Sequence, residues 1–370
     1  MPSVNVQLVD PSAFTPPYDR SLAAALARAG ADVELVTSHF HYGPVPPADG
    51  YHVSERFYRR SSRSGGRLRM PLKLAEHVPD MLRYRRHART ADVVHWQWLT
   101  VQPLDVRLLP RTRPQVLTAH DVLPREPRPG QIAATRRLVN RMDAVIAHSQ
   151  HGAWRLREEL AVPGERVHVI PHGVFDYLTK LPDEAPLPAE LADAGDEPVV
   201  LFFGLLRPYK GLDVLLEAWR EVRDAQLWIA GMPRMDIAQL RAAAPPNVRW
   251  VSRFVPDAEI APLFRSADVV VLPYREIEQS GVLYTALAFG KPVVASRVGG
   301  FAEIDALRLV EPGDPAALAD ALRSVLSDPA ERERLAAASG RAAGGEHSWD
   351  AVAARTLGLY RELVSATTSR

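Results

Sequence analysis

The chain has 370 residues, 46% of them hydrophobic, with 45 Lys and Arg against 44 Asp and Glu and no cysteine. That length exceeds one ordinary hydrophobic core and points to two domains. A balanced charge gives no overall attraction to nucleic acid or membrane, and the lack of Cys excludes disulfides, thiol nucleophiles and thiolate metal sites while fitting a reducing cytoplasm.

The first residues, Met1 to Asp10, carry neither the basic flank nor the apolar core of a secretion signal. No later run approaches the ~18 apolar residues of a spanning helix. The expected location is cytoplasmic, with attachment to the cytoplasmic face of a membrane as the one alternative.

Taken in order, short β-branched runs alternate with Ala-, Leu- and Arg-rich stretches of helical period, the pattern of βα units on parallel sheets. The first series of strands is expected at Val4–Val9, Asp32–Thr37, Asp92–Trp96, Val116–Ala119, Ala144–Ala147 and Val167–Ile170. Ser21–Ala29, stopped by Gly30, supplies the first helix. From Arg56 to Arg89 eleven basic residues meet only Glu76 and Asp80, a local excess of +9. Phe57, Tyr58 and Tyr84 interleave with these arginines, a composition that suits anionic lipid headgroups or a lipid-diphosphate acceptor, and equally suits a solvated loop and helix. No nucleic-acid module surrounds the patch, so nucleic acid is not an expected partner.

A Pro-, Asp- and Ala-rich segment from Leu178 to Glu197 has no sustained period and reads as a connection. A second series follows, with strands expected at Val199–Phe203, Leu227–Ala230, Val248–Val251, Val269–Leu272, Val293–Ala295 and Leu307–Val310, and helices at Leu212–Arg223 and Asp257–Arg265. Two such series imply an α/β protein of two doubly wound sheets facing a central cleft, with ligands at the carboxyl ends of the strands.

The chemistry concentrates in the second series. Strand Val199–Phe203 runs through Gly204-Leu-Leu-Arg207-Pro-Tyr-Lys210-Gly211 into a helix, a glycine turn with two cations that suits a phosphate. Arg brings a fork of donors and Lys a point charge, and together they can neutralise a departing diphosphate; as isolated loop residues both could simply be solvated. Strand Val269–Leu272 leads to Ser280-Gly281, where a starting helix would aim free amides outward, although Ser-Gly before a helix is also an ordinary cap.

These segments, with Ala267 to Tyr274, Ala286-Leu-Ala-Phe-Gly-Lys-Pro to Ser296 and Val298-Gly-Gly300, resemble family 4 glycosyltransferases. Asp92 to His95, Leu117 to Asp121, Ala144 to Ser149 and Val169 to Gly173 are similar to the same family in the same order. The resemblance implies a GT-B fold of two Rossmann-like domains: an acceptor domain over residues 1–175, a linker over 176–197, a nucleotide-sugar domain over 198–345, and a C-terminal helix over 346–370 returning to the first domain.

It further implies transfer of a sugar from a nucleotide-diphosphate donor to a hydroxyl of a glycan, a lipid-linked or a small-molecule acceptor, with the anomeric configuration retained. Gly204, Arg207, Lys210 and Arg253 would bind the donor, with Ser280, Gly281, Val282 and Leu283 meeting the diphosphate from the helix start. Glu276 or Glu278 would approach the donor sugar. The family's second acid, which grips the ribose, is here Thr285. His120 would lie near the donor sugar and departing phosphate, whereas His95, His148 and His168 read as structural.

After the first strand the family's glycine pair is missing, so Tyr18, Asp19 and Arg20 would act through side chains, Asp19 either as an acceptor-side base or as a helix N-cap. No two aspartates stand two apart, so neither a metal nor a cofactor is expected. Rival readings are a non-catalytic GT-B sugar-nucleotide-binding or partner protein and another GT-B enzyme such as an epimerase or phosphorylase.

Overall fold

The computed structural model describes residues 3–41, 43, 45–64, 69–99, 101–111, 113–124, 127–193 and 195–368. It divides into two compact units, Met1–Gly173 with Trp349–Arg370, and Val174–Ser348.

In the first unit seven strands are described: β1 (Asn5–Asp10), β2 (Asp32–Thr37), β3 (His52–Glu55), β4 (Val93–Trp96), β5 (Gln115–Thr118), β6 (Ala144–Ala147) and β7 (Val167–Val169). All pair in parallel, in the order β3-β2-β1-β4-β5-β6-β7. The helices are α1 (Pro16–Arg28), α2 (Arg69–His87), α3 (Gln102–Leu108), α4 (Gln131–Val139) and α5 (Gln150–Glu158). β4, β5 and β6 are buried along their whole length, as strands covered on both faces must be. α1 begins on Pro16 and Pro17, lays Leu22, Ala23, Ala25 and Leu26 inward, and is followed by Gly30 at φ +92°.

The second unit carries β8 (Val199–Phe203), β9 (Gln226–Ala230), β10 (Val248–Val251), β11 (Val269–Leu272), β12 (Val293–Ser296) and β13 (Leu307–Val310), parallel in the order β10-β9-β8-β11-β12-β13. Its helices are α6 (Leu212–Trp219), α7 (Ala238–Ala242), α8 (Asp257–Ser266), α9 (Gly281–Ala288), α10 (Pro315–Ser327) and α11 (Pro329–Gly344). The chain then enters α12 (Trp349–Thr368) within the first unit, where the Tyr360 hydroxyl lies 2.5 Å from His95 Nδ1 and Arg28 pairs with Asp350 at 2.9 Å. A Cβ on Gly173 would fall 2.5 Å from the Trp349 ring, so only glycine lets that indole close over the chain.

Each sheet reverses its strand order once, between β1 and β4 and between β8 and β11. The loops leaving those four strands are where the topology opens a crevice for a ligand.

Three expectations change on inspection. The segment 176–197, read as a connection, is built into the second unit: Tyr177 donates to Asp257 at 2.9 Å, Glu184 pairs with Arg265 at 2.6 Å, and Leu191 joins the core. β3 was not anticipated, because His52-Val-Ser-Glu55 offers a single apolar residue. The aromatics of the basic stretch are not surface groups: Phe57, Tyr58 and Tyr84 are fully buried, with Phe57 and Tyr84 rings 5.5 Å apart and Tyr84 5.3 Å from Trp96. The two tyrosines enter the core with their hydroxyls partnered, since Tyr58 meets His77 Nδ1 at 2.7 Å and Tyr84 donates to Gln7 at 3.0 Å. Arg67 lies outside the described residues.

Candidate active site

The crevice of the second unit is built around Gly204, the residue that follows β8, at φ +104°. A Cβ there would stand 2.8 Å from Lys210 Nζ and 3.1 Å from Val282 Cγ2. Three residues singled out in sequence therefore meet at one point, brought together by the loops after β8 and β11. Gly231 is confined as well, because its Cβ would overlap the Gly204 carbonyl oxygen at 1.9 Å.

Lys210 ends the short 3₁₀ turn Pro208–Lys210 and is 5% exposed, its ammonium 5.0 Å from the Tyr274 ring centroid. A buried ammonium over an aromatic face has given up most of its water, so an anion brought to it would meet little screening. Arg207 is exposed. Gly211, at φ +67°, stands where a Cβ would lie 2.0 Å from the Pro273 carbonyl oxygen, which seats the whole turn on the end of β11. Arg275 locks the same contact: its amide donates to Tyr209 O at 2.8 Å, its guanidinium to Pro208 O at 2.9 Å, and it pairs with Asp213.

Ser280 takes the N-cap position of α9 in extended conformation, but its hydroxyl makes no capping bond and sits 3.4 Å from the Tyr274 hydroxyl. The amides of Leu283 and Tyr284 turn back to the Ser280 carbonyl, so helix geometry leaves those of Gly281 and Val282 facing out of the positive end. A Cβ on Gly281 would press to 3.0 Å on the Phe175 ring. Leu283 itself is fully buried, so its side chain packs in the core and only its backbone lies at the helix start.

Glu276 is exposed, Ile277 buried and Glu278 half-buried. Gly299, at φ +49°, approaches this strand exit so closely that its Cβ would lie 1.7 Å from Ile277 O and 3.6 Å from Glu278 Cα. Thr285 is buried and donates its hydroxyl to Gly281 O at 2.9 Å, so its proton is spent inside the helix and only its lone pairs remain for a ligand. Arg253 stands between two carboxylates, Glu190 at 2.9 Å and Glu259 at 2.8 Å, which hold its guanidinium more firmly protonated than an isolated arginine.

In the first unit His120 follows β5 and is 4% exposed. Its Nε2 is 3.1 Å from Gln97 Oε1, its Nδ1 is 3.4 Å from His148 Nε2, and Trp98 stacks on it at 5.0 Å. Burial, then the neighbouring His148, His172 and His95, push its pKa well below the ordinary imidazole value, so the ring is neutral at pH 7. His148 donates onward to Ile170 O at 3.0 Å, and Tyr18 packs its ring edge-on to His120 and His172 at 4.7 and 4.8 Å. Sequence reasoning passed over Gln97, though its place directly after β4 at the switch point was a usable signal.

Asp19 lies inside the first turn of α1, whose N-cap position belongs to Thr15, so the N-cap alternative is excluded. Its carboxyl is buried against that of Asp10. Burial first and the Asp10 charge second raise the Asp19 pKa well above the usual carboxylate range. Asp10, raised by burial, accepts amides from Ser12 at 3.1 Å, from Phe14 and from Thr15 at 3.2 Å. Of the two acids Asp19 is therefore the one that takes up a proton first as pH falls. Arg20 donates to Pro46 O at 2.6 Å and, with Asp19, Ser38, His39 and Glu55, lines a cavity of about 190 Å³. His95 is held neutral by burial, its pKa lowered to about 3, and His168 is likewise lowered by burial.

Residues 19–175 match the sequence model of Glycosyltransferase Family 4, and residues 197–328 match that of Glycosyl transferases group 1. Over 394 aligned residues the chain is 31% identical to the D-inositol 3-phosphate glycosyltransferase of Xylanimonas cellulosilytica, spanning 95% of this chain and 92% of that one. Sucrose-phosphate synthase from Thermosynechococcus elongatus superposes with a TM-score of 0.77 at 22% identity, covering 98% of this chain and all of the other, 100%. HepE of Anabaena, in complex with UDP-glucose, gives 0.71 at 18% identity over 96% and 99% of the two chains. The two Rossmann-like units are those of the GT-B fold.

The chain belongs to the family 4 glycosyltransferases. Its activity is that of a GT-B glycosyltransferase using a nucleotide-sugar donor.

Proposed function

We propose that the second unit holds the donor diphosphate between Arg207, Lys210 and the N-terminus of α9, and that this clamp drives displacement at the anomeric carbon. The observation that carries the reading is the meeting of Gly204, Lys210 and Val282 at the mouth of the strand-order reversal. As the glycosidic bond to the acceptor hydroxyl forms, the bond to the β-phosphate oxygen breaks and the diphosphate gains charge. A desolvated ammonium and the Gly281 and Val282 amides oppose that charge most strongly at the transition state. With these cations in place the transfer needs no metal and no cofactor, and the family reading carries retention of configuration.

Glu278 is the acid assigned to the donor sugar, because it is half-buried beside the Gly299 turn while Glu276 extends into solvent. His120, neutral and oriented by Gln97 and His148, suits a hydrogen-bonding role toward the donor sugar rather than that of a fixed cation. Asp19 is assigned to positioning, because its carboxyl is buried and engaged with Asp10 and Thr15. Arg253, engaged by two carboxylates, shapes the rim.

The acceptor would be a hydroxyl of a glycan, a lipid-linked or a small-molecule substrate. Solved neighbours hold UDP-glucose, UDP or ADP, which supports a nucleoside diphosphate on the donor side. Among the described residues no helix is long and apolar enough to cross a membrane. The basic stretch Arg56–Arg89 supports a peripheral contact, at the cytoplasmic face, with a membrane that carries a lipid-linked acceptor.

The test is nucleotide release from a panel of UDP-, GDP- and dTDP-sugars with acceptor extracts, comparing the native chain with Lys210→Ala. The variant should lose at least ~100-fold in kcat/KM with its melting temperature unchanged. Native kinetics in the variant, or tight nucleotide binding without turnover of any donor by the native chain, would sink the reading.

A further inference from the structure

Helix α2 (Arg69–His87) is amphipathic in the reverse of the usual sense. Its inward face carries His77, Asp80, Met81 and Tyr84. The polar members of that face have partners inside: His77 Nδ1 meets the Tyr58 hydroxyl at 2.7 Å and its Nε2 lies 2.8 Å from the buried Asp105, Asp80 accepts the Tyr58 amide at 2.8 Å, and Tyr84 reaches Gln7. The outward face carries Met70, Leu74, Val78 and Leu82, exposed to 72, 56, 36 and 45%. A spacing of four residues puts them in one row along the helix, about 18 Å long. Pro71, Ala75 and Pro79, also exposed, broaden that row.

A surface helix normally turns its apolar stripe to the core, and a contiguous apolar ridge facing water marks a binding surface. The surroundings say what binds. Arg69, Lys73, Arg83, Arg85 and Arg86 lie on the same helix and Arg89 just beyond it. The two acids of the segment are engaged within it, Glu76 accepting the amides of Arg60 and Ser61 at 3.0 Å and Asp80 accepting that of Tyr58 and pairing with Arg83 at 2.6 Å, which leaves the remaining cations in excess. An apolar ridge in a positive field complements a bilayer with anionic headgroups: the leucines enter the acyl boundary and the arginines stay with the phosphates. A second copy is a poor match, because a twofold contact through this ridge would set two basic flanks against each other.

We propose that α2 lies in the membrane interface through Met70, Leu74, Val78 and Leu82, anchoring the transferase on anionic bilayers. This deepens the membrane contact in the proposed function and is independent of the donor chemistry. It also replaces Phe57, Tyr58 and Tyr84 as the apolar part of that contact.

The chain has no cysteine, so Val78→Cys provides a unique site for an environment-sensitive fluorophore, with Ser327→Cys on exposed surface of the second unit as control. With vesicles containing phosphatidylglycerol, the Val78→Cys probe should shift to the blue and brighten, the control should not, and pure phosphatidylcholine should give a weaker response. In co-sedimentation the double variant Leu74→Asp, Leu82→Asp should bind these vesicles on the order of 30-fold less tightly. Because both positions are exposed, its melting temperature and its turnover of a soluble acceptor should stay native, which separates failure here from failure of the donor site. Native vesicle binding by the double variant would overturn the proposal. So would a ridge-dependent dimer, or capture of an acidic protein, without any vesicle binding.

Discussion

Gly204 and Lys210 occupy what would otherwise be a single volume, with the ammonium 2.8 Å from the place of the missing Cβ. A methyl group there would displace the tip of a flexible side chain and press on Val282 Cγ2 at 3.1 Å, with no backbone in its way. Gly204→Ala should therefore fold, at a strain of ~1–3 kcal/mol for its left-handed φ, and lose at least ~10-fold in kcat/KM. Gly211→Ala should behave in the opposite way, because its Cβ would strike the rigid Pro273 carbonyl at 2.0 Å; a destabilisation of about 3 kcal/mol or more is expected. Melting curves and steady-state kinetics on the pair read out both, and equal behaviour of the two variants would contradict the geometry.

Glu278→Gln should lower kcat/KM by ~100-fold, whereas Glu276→Gln should stay within about 3-fold of native. Their burial differs while their chemistry does not. Kinetics with a fixed donor distinguish them, and a reversed order would move the sugar contact to Glu276.

Asp19→Asn keeps the shape of the Asp10–Asp19 pair and supplies a permanent amide donor to Asp10. A raised native pKa means that the native carboxyl contributes stability at low pH and loses it as pH rises through the folded value. The variant should thus match or exceed the native melting temperature at pH 8 and retain activity within about 3-fold; loss of a true general base would cost ~10²–10⁴. A loss of that size would restore Asp19 as the base.

His95 and His120 work with the opposite sign. Their native pKa values lie below the unfolded value near 6.5, so stability is full above that pH and drains as protons bind the unfolded chain below it, toward about 3 for His95. By pH 5 His95 should cost about 2 kcal/mol, with His120 adding a cost of the same sign. The melting temperature of His95→Gln should fall less between pH 7.5 and pH 5 than that of the native chain, and parallel curves would refute the linkage.

What could be read in advance follows from the range of the forces involved. The strands β8 and β11, Gly204 and Gly211 are written in local pattern, because apolar runs and glycines answer to the backbone nearby. Tyr58 and Tyr84 were misjudged because their burial depends on partners far along the chain, Tyr84 meeting Gln7 across 77 positions. The Asp10–Asp19 pair is close in sequence yet hidden, since its raised pKa values arise from burial rather than spacing. Thr285 was visible as a departure, but its bond into its own helix was not. The outward ridge of α2 shows the same limit: period identifies an amphipathic helix without telling which side meets the core.

The return of α12 to the first unit sets an order of birth. A ribosome delivers Trp349 and Tyr360 only after the second unit has been made, so until then the nascent first unit has neither the indole that closes over Gly173 nor the phenol beside His95. The earlier-made unit would be the later to finish, and a chain halted before residue 349 would present an unfinished first unit to chaperones and proteases while its second unit could already be complete.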